Sequence, residues 1–206
     1  MEPIVIQNTL AEECLALLRD RSTRPAQFRS AGRRIGLVLA VEAGKLLDTL
    51  EVQVDTPLES TRCRTADAPV VLVPVLRAGL GLTDAFLELF PEAEVGHVGL
   101  ERNEATAQAD SYYCKLPQLA GKQVFLLDPM LATGGSLAQA VDLLKARGAS
   151  LVVAACIIAA PEGIAHVRSR HPDLQLVLGA IDRELDSHHY IRPGLGDYGD
   201  RLMGTH

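Results

Sequence analysis

The chain has 206 residues, 48% of them apolar and 22% charged, the balance of one globular domain spanning 1–206 with a sizeable core. Its net charge of -6 argues against the broad basic face of a nucleic-acid binder and leaves room only for a small cationic pocket. The four cysteines, Cys14, Cys63, Cys114 and Cys156, form no CxxC pair, so a zinc site or disulfide framework is not expected and reduced thiols in a cytoplasmic protein fit best.

The opening MEPIVIQNTL is acidic and lacks the apolar run of a signal peptide. Apolar spacing predicts a helix over 10–19 and a longer helical region from 25 to about 50, rich in Ala, Leu, Arg and Glu. Residues 70–76 are continuously apolar, the pattern of a strand covered on both faces. A helix over 80–90, ended by Pro91, and a strand over 95–100 follow. The segment 101–118 is polar, carries Tyr112 and Tyr113, and is long for a sheet connection. It reads as a hairpin-like excursion that closes over a ligand and takes Arg102 with it. Strands over 123–128, 151–159 and 174–181 alternate with helices over 137–147 and 161–169. The longest apolar run, LVVAACIIAAP, is too short to cross a bilayer. This order predicts an α/β fold, a parallel sheet with helices on both faces. The glycine-rich stretch 187–206 is expected to be an ordered loop rather than helix or strand.

Four motifs carry chemistry. In VPVLRAGLGL, Arg77 stands just past a buried strand, with Gly79 and Gly81 behind it. The plainer reading is a charge escaping to solvent beside turn glycines. Arg102, in LERNEA, is also at a strand end, where a surface ion pair is the plainer role. In LLDPMLATGGSLAQA, an acid, Asp128, ends a strand, and Thr133, Gly134, Gly135 and Ser136 open a helix. A helix N-terminus beyond the carboxyl ends of a parallel sheet is a natural phosphate site. Gly134 and Gly135 admit an oxyanion close to the backbone, and Asp128 is placed to accept from sugar hydroxyls. Helix capping by Thr133 or Ser136 is the alternative, but it does not account for two glycines and the acid. No Lys follows, so this is not a Walker A loop. The fourth motif, PGLGDYGDR, contains a GxGxxG at Gly194–Gly199. A dinucleotide fingerprint needs a strand before it and a helix after it, and neither is predicted. The loop instead exposes main-chain groups that can read a planar base, or is a turn held by Asp197 and Asp200.

DPMLATGGS is similar to the phosphoribosyl pyrophosphate (PRPP) signature of the phosphoribosyltransferases. VPVLRAGLGL, RNE, AAPEGI, YIRPGLGDYGDR and MGTH, in that order from about residue 70 to the end, resemble the uracil phosphoribosyltransferase family, and FRSAGRRIGLVLAVEAG more weakly resembles its long helix. The resemblance implies a type I phosphoribosyltransferase-like fold with an N-terminal helical region and a C-terminal base-binding loop. It implies transfer of phosphoribose from PRPP to uracil, giving UMP and pyrophosphate, in pyrimidine salvage. By position, PRPP would meet Arg77, Arg102, Asp128, Pro129, Met130, Leu131, Ala132, Thr133, Gly134, Gly135, Ser136 and Asp197. The 5′-phosphate would lie on 133–136, and Arg77 and Arg102 would face pyrophosphate. Uracil would meet main-chain atoms of Ile191, Gly196 and Tyr198, beside Asp197. Arg77, Arg102 and Asp197 would be catalytic. Mg²⁺ would bind mainly through pyrophosphate, with Asp197 reaching it through water. A homo-oligomer, dimer or tetramer, is implied, with GTP and UTP as candidate effectors and no membrane or nucleic-acid partner. The Arg77–Ala78 peptide is expected to be cis.

The chain departs from the pattern in LDSHHY, where the family reads close to LNEKGY. His189 replaces a usual Gly and Tyr198 a usual Ala, which places bulk near the base and leaves a different base as an alternative. Adjacent His188 and His189 point to opposite faces of an extended chain and are not expected to share a metal. A nucleotide-sensing or RNA-binding regulator on the same fold is the other alternative, and the net acidity counts against it.

Overall fold

The computed structural model describes residues 2–102 and 109–205. Strand β1 (Ile4–Val5) leads into α1 (Thr9–Arg19) and α2 (Pro25–Gly44). The Asn8 side chain caps α1 by accepting from the backbone of Leu10 at 2.9 Å and Ala11 at 3.3 Å. Pro25 opens α2, where a missing N–H leaves nothing unsatisfied. The helical region expected to run to about 50 stops at Gly44, and an unforeseen hairpin follows, β2 (Thr49–Asp55) and β3 (Ser60–Ala66), antiparallel. Next come β4 (Val70–Leu76), α3 (Leu80–Leu89), β5 (Glu94–Val95), β6 (His97–Arg102) and β7 (Ala109–Lys115). β7 runs antiparallel to β6, so the excursion returns as a strand of the sheet. Residues 103–108, the middle of the segment expected to close over a ligand, lie outside the described residues, as does the Arg102 side chain.

The remainder alternates as expected: β8 (Gln123–Leu127), β9 (Met130–Leu131), α4 (Gly135–Ala146), β10 (Leu151–Ala159), α5 (Pro161–Arg170) and β11 (Gln175–Ile181). The tail departs from its reading as a loop. It forms a ribbon of β12 (Glu184–Leu185) with β13 (Ile191–Arg192), then a short helix, α6 (Tyr198–Met203). The local cause is Asp197, whose side chain caps α6, with Gly204 closing it at φ +74°. A strand and a helix therefore do flank the GxGxxG. The strand has two residues and the helix six, too little for the βαβ unit a dinucleotide fingerprint requires.

The main sheet runs β1-β11-β10-β8-β4-β6-β7, and every pairing along it except β6 with β7 is parallel. Alternate residues of the central strands point to opposite faces. Leu72, Phe125, Leu127 and Val153 pack with α1, α2 and α3. Val71, Val73, Leu126 and Ala154 pack with α4 and α5. Helices thus cover both faces, and the strands between are buried throughout. From β4 the chain crosses to β6 on one side, and from β8 to β10 on the other. The crossovers diverge between β4 and β8, the switch point at which such sheets open a crevice at their carboxyl edge.

Candidate active site

Two strand ends form the floor of that crevice. β4 leaves the core at Leu76, and the chain turns through Arg77 and Ala78 to Gly79, whose N–H donates to the Val75 carbonyl at 2.8 Å. The turn folds so closely onto β4 and β8 that a Cβ on Gly79 would collide with the carbonyl of Leu127 and come within 2.6 Å of the Val75 nitrogen. The cis peptide here is Leu76–Arg77, one bond before the expected Arg77–Ala78. The Arg77 guanidinium is exposed and pairs with Asp200 Oδ1 at 3.2 Å.

Just past the end of β8 stands Asp128, which is half-buried. Burial pushes its carboxyl up to about 7, against a weaker opposing pull from the Met130 N–H at 3.4 Å. Pro129 lies behind the crevice wall, its carbonyl accepting from Ile157 and Ile158 of β10. The chain then reaches Gly134, which caps α4 in the left-handed region at φ +81°. No side chain caps α4; Thr133 and Ser136 do not have the capping role that was the alternative. Gly163 of α5 explains the AAPEGI motif. Its missing Cβ makes room for the Ala132 carbonyl, and its own carbonyl would lie 2.7 Å from any Cβ on Gly134. The turn therefore rests directly on α5.

These parts enclose a pocket of about 230 Å³ lined by Arg77, Ala78, Leu100, Asp128, Met130 to Gly134 and Ser136, among others. A second pocket of about 210 Å³ adjoins it, walled by His189 to Ile191 and Gly196 to Gly199. The two share Ala78, Met130 and Ala132. Arg77, Asp128 and the Thr133–Ser136 turn thus meet in one cavity, and Ile191, Gly196, Asp197 and Tyr198 in its neighbour. The first offers an acid, a cation at its rim and the N-terminus of a twelve-residue helix, the means to hold a phosphorylated sugar. The second is walled by a loop with two glycines, Gly196 and Gly199, and the exposed main chain of Gly196 can read the edge of a flat ring.

The tail carries most of the surprises. Tyr198 was expected to crowd the base pocket. Its side chain instead turns into the core, 1% exposed, its ring 5.1 Å from that of Phe28. Its hydroxyl lies against Gly32 of α2 and Gly81 of α3, where a Cβ on Gly81 would come within 2.8 Å. Among the described residues it has no hydrogen-bond partner, and burial raises the phenol well above its ordinary range. Two glycines free that space for the ring. His189 holds the left-handed region, φ +64°, where Gly is usual. Among the described residues no three His, Cys, Asp or Glu gather to hold a metal. Sequence reasoning passed over Arg19, Asp182 and Arg201, which hold the tail in place. Asp182 stands just past the end of β11 as Asp128 does past β8, and that position was its available signal.

The uracil phosphoribosyltransferase family model matches residues 5–205. The chain belongs to that family. Uracil phosphoribosyltransferases of Symbiobacterium thermophilum and Wolinella succinogenes are 46% and 45% identical to it, the first over 98% of both chains and the second over 100% of both. The solved AQ2163 protein of Aquifex aeolicus superposes with a TM-score of 0.91 at 35% identity, covering 98% of this chain and 97% of that one. A hypoxanthine-guanine phosphoribosyltransferase of Bacillus anthracis shares the fold alone, with a TM-score of 0.54 at 11% identity, over 90% of this chain and 85% of that one. No helix among the described residues is long and apolar enough to cross a membrane.

Proposed function

We propose that this protein transfers the phosphoribosyl group of PRPP to uracil, forming UMP and pyrophosphate as a pyrimidine-salvage enzyme of the cytoplasm, and that it acts as a homo-oligomer. The observation that carries the reading is the pair of adjoining pockets, one with an acid, a cation and a helix N-terminus and one walled by the tail loop, with Ala78, Met130 and Ala132 shared between them. In this reading the backbone N–H groups and hydroxyls of 133–136 take the 5′-phosphate and Asp128 accepts from the ribose hydroxyls. Arg77 and Arg102 face pyrophosphate, and main-chain atoms of Ile191, Gly196 and Tyr198 meet the base.

The reaction breaks the bond from ribose C1 to pyrophosphate, forms one from C1 to uracil N1 and releases the N1 proton. Positive charge grows on the sugar and negative charge on the leaving group. Arg77 and Arg102 stabilise the latter by preorganised electrostatics, and the shared wall holds the base nitrogen against C1. Asp197, whose carboxylate lines the second pocket, would hold through water a Mg²⁺ carried in on pyrophosphate. When bound, that ion neutralises charge on the leaving group.

The test is a product assay with PRPP, Mg²⁺ and a panel of bases. A main-chain carbonyl accepting from uracil N3–H and a main-chain N–H donating to O4 are both mismatched by cytosine. Discrimination in kcat/KM on the order of a thousandfold or more is expected. Comparable use of cytosine, or preference for another base, overturns the assignment.

A further inference from the structure

We propose that Arg19 and Asp182 form a buried clamp that sets the base-reading backbone, making them positioning residues for uracil rather than general supports of the fold. The proposal rests on the reading of the second pocket as the base site.

Asp182 follows β11 directly, pinned there by its own N–H donating to the Ala159 carbonyl at 2.8 Å. Its side chain is 3% exposed, and a carboxylate so buried needs partners. Arg19, the last residue of α1, grips it with both terminal nitrogens, Nη1 at 2.8 Å from Oδ2 and Nη2 on Oδ1. The pair then reaches one backbone unit. The Gly194 N–H donates to Asp182 Oδ2 at 2.9 Å, and the Gly194 carbonyl accepts from Arg19 Nη1 at 2.8 Å. Gly194 has φ +67°, and a Cβ there would collide with the Ile191 carbonyl. Both polar atoms of this residue are thus engaged, in a conformation that only glycine fits.

Gly194 lies three residues after Ile191 and two before Gly196, both in the wall of the second pocket. It sits where a displacement of the loop would reach both. Two further features favour a positioning role. A buried ion pair adds little net stability over an apolar substitute, so stability alone does not account for charges here. The last turn of α1 also holds the loop a second time, through Arg201, whose guanidinium donates to the Leu18, Asp20 and Leu195 carbonyls. Two cations thus tie one helix end to one loop, and neither lines the pocket.

The experiment compares Arg19→Lys and Asp182→Asn with the wild-type full-length chain. Lys keeps the charge but loses the two-pronged grip. Asn can still accept from Gly194 while losing the ion pair. KM for uracil should rise roughly tenfold or more in each, the scale of a lost charge-assisted hydrogen bond. KM for PRPP should stay within about twofold, because the first pocket is built from other loops. Hydrogen exchange should quicken over 191–199 and not over 128–136. A lower melting temperature with KM for uracil unchanged would mean the pair is merely structural, and the proposal falls. Both KM values rising together overturns it as well. If the wild-type chain uses no uracil, the proposed function fails by itself. Exchange then still decides the clamp: faster exchange confined to 191–199 supports it, and unchanged exchange sinks it.

Discussion

Asp197 has two tasks, and a single substitution separates them. Its Oδ1 caps α6 by accepting from the Asp200 N–H at 2.8 Å, and it lines the second pocket. Asn caps a helix as well as Asp does. Asp197→Asn should therefore keep the melting temperature within about 2 °C while turnover falls roughly tenfold or more. Turnover near wild type would remove the charge from the mechanism. Asp128 gives a pH signature. Burial raises it from 3.8 to about 7, so the folded chain holds this proton where the unfolded chain has released it. The ligand-free protein should lose stability as pH rises from about 4 to 7, with no further loss from this group above that. Sugar hydroxyls donate to the ionised form and favour it. PRPP should thus bind with release of a proton and more tightly as pH rises through 7. Titration calorimetry in buffers of different ionisation enthalpy measures both effects, with Asp128→Asn as the control for the titration of PRPP's own phosphates, whose second pKa is about 6. The same pH dependence in wild type and variant between about pH 5.5 and 8 would contradict the assignment.

At the scale of elements, α2, α3 and α6 meet around one phenol. A Cβ on Gly32 would collide with the Tyr198 hydroxyl yet stand 3.5 Å from the ring carbon that bears it, an ordinary contact. Gly32→Ala should destabilise the wild type by about 1–3 kcal/mol through overpacking. In a Tyr198→Phe background the same change should be neutral or stabilising, since Ala outranks Gly within a helix by about 1 kcal/mol. A denaturation cycle showing the two changes simply additive would refute the wedge. Tyr198→Ala opens space in this core and not beside the base. It should therefore leave the use of 5-substituted uracils unchanged, whereas bulk beside the base would make the same change improve it. The same elements show what the sequence could tell. β4, β8 and β10 were legible because strands buried on both faces are continuously apolar, and α1 and α4 because their stripes recur at helical spacing. The β2–β3 hairpin was not. LEVQVD alternates as a strand should, but its residues are almost all exposed, its partner STRCRTA is polar, and the pattern ran on from α2 without a break. α6 was missed because six residues carry too little periodicity; its cap and closing glycine were the better signal.

Across the whole molecule, the candidate site is assembled from stretches far apart in the chain. The motifs at 77, 128–136 and 191–198 were each readable because each carries its own chemistry. How they face one another was not, because pairings such as Arg77 with Asp200 or Arg19 with Asp182 exist only once the sheet has brought the loops together. The first of these has a consequence for how the crevice behaves at rest. Arg77 already has a tenant: a tethered carboxylate, that of Asp200, sits on the guanidinium to which the proposed reaction gives the leaving group. The pair is exposed, 58% and 38% by side chain, so its hold amounts to about 0–1 kcal/mol. A weakly charged passer-by must compete with a neighbour that never diffuses away, whereas a multiply charged visitor displaces it with ease. Asp200→Asn, which still lets Thr205 donate to the side chain as it does at 2.7 Å in the wild type, should leave Arg77 without its charged partner. Inorganic phosphate should then inhibit at concentrations about two- to fivefold lower, and an unchanged inhibition constant would show that the tenant does not screen the door. If the prediction holds, the tail of the chain acts as a doorkeeper to its own crevice.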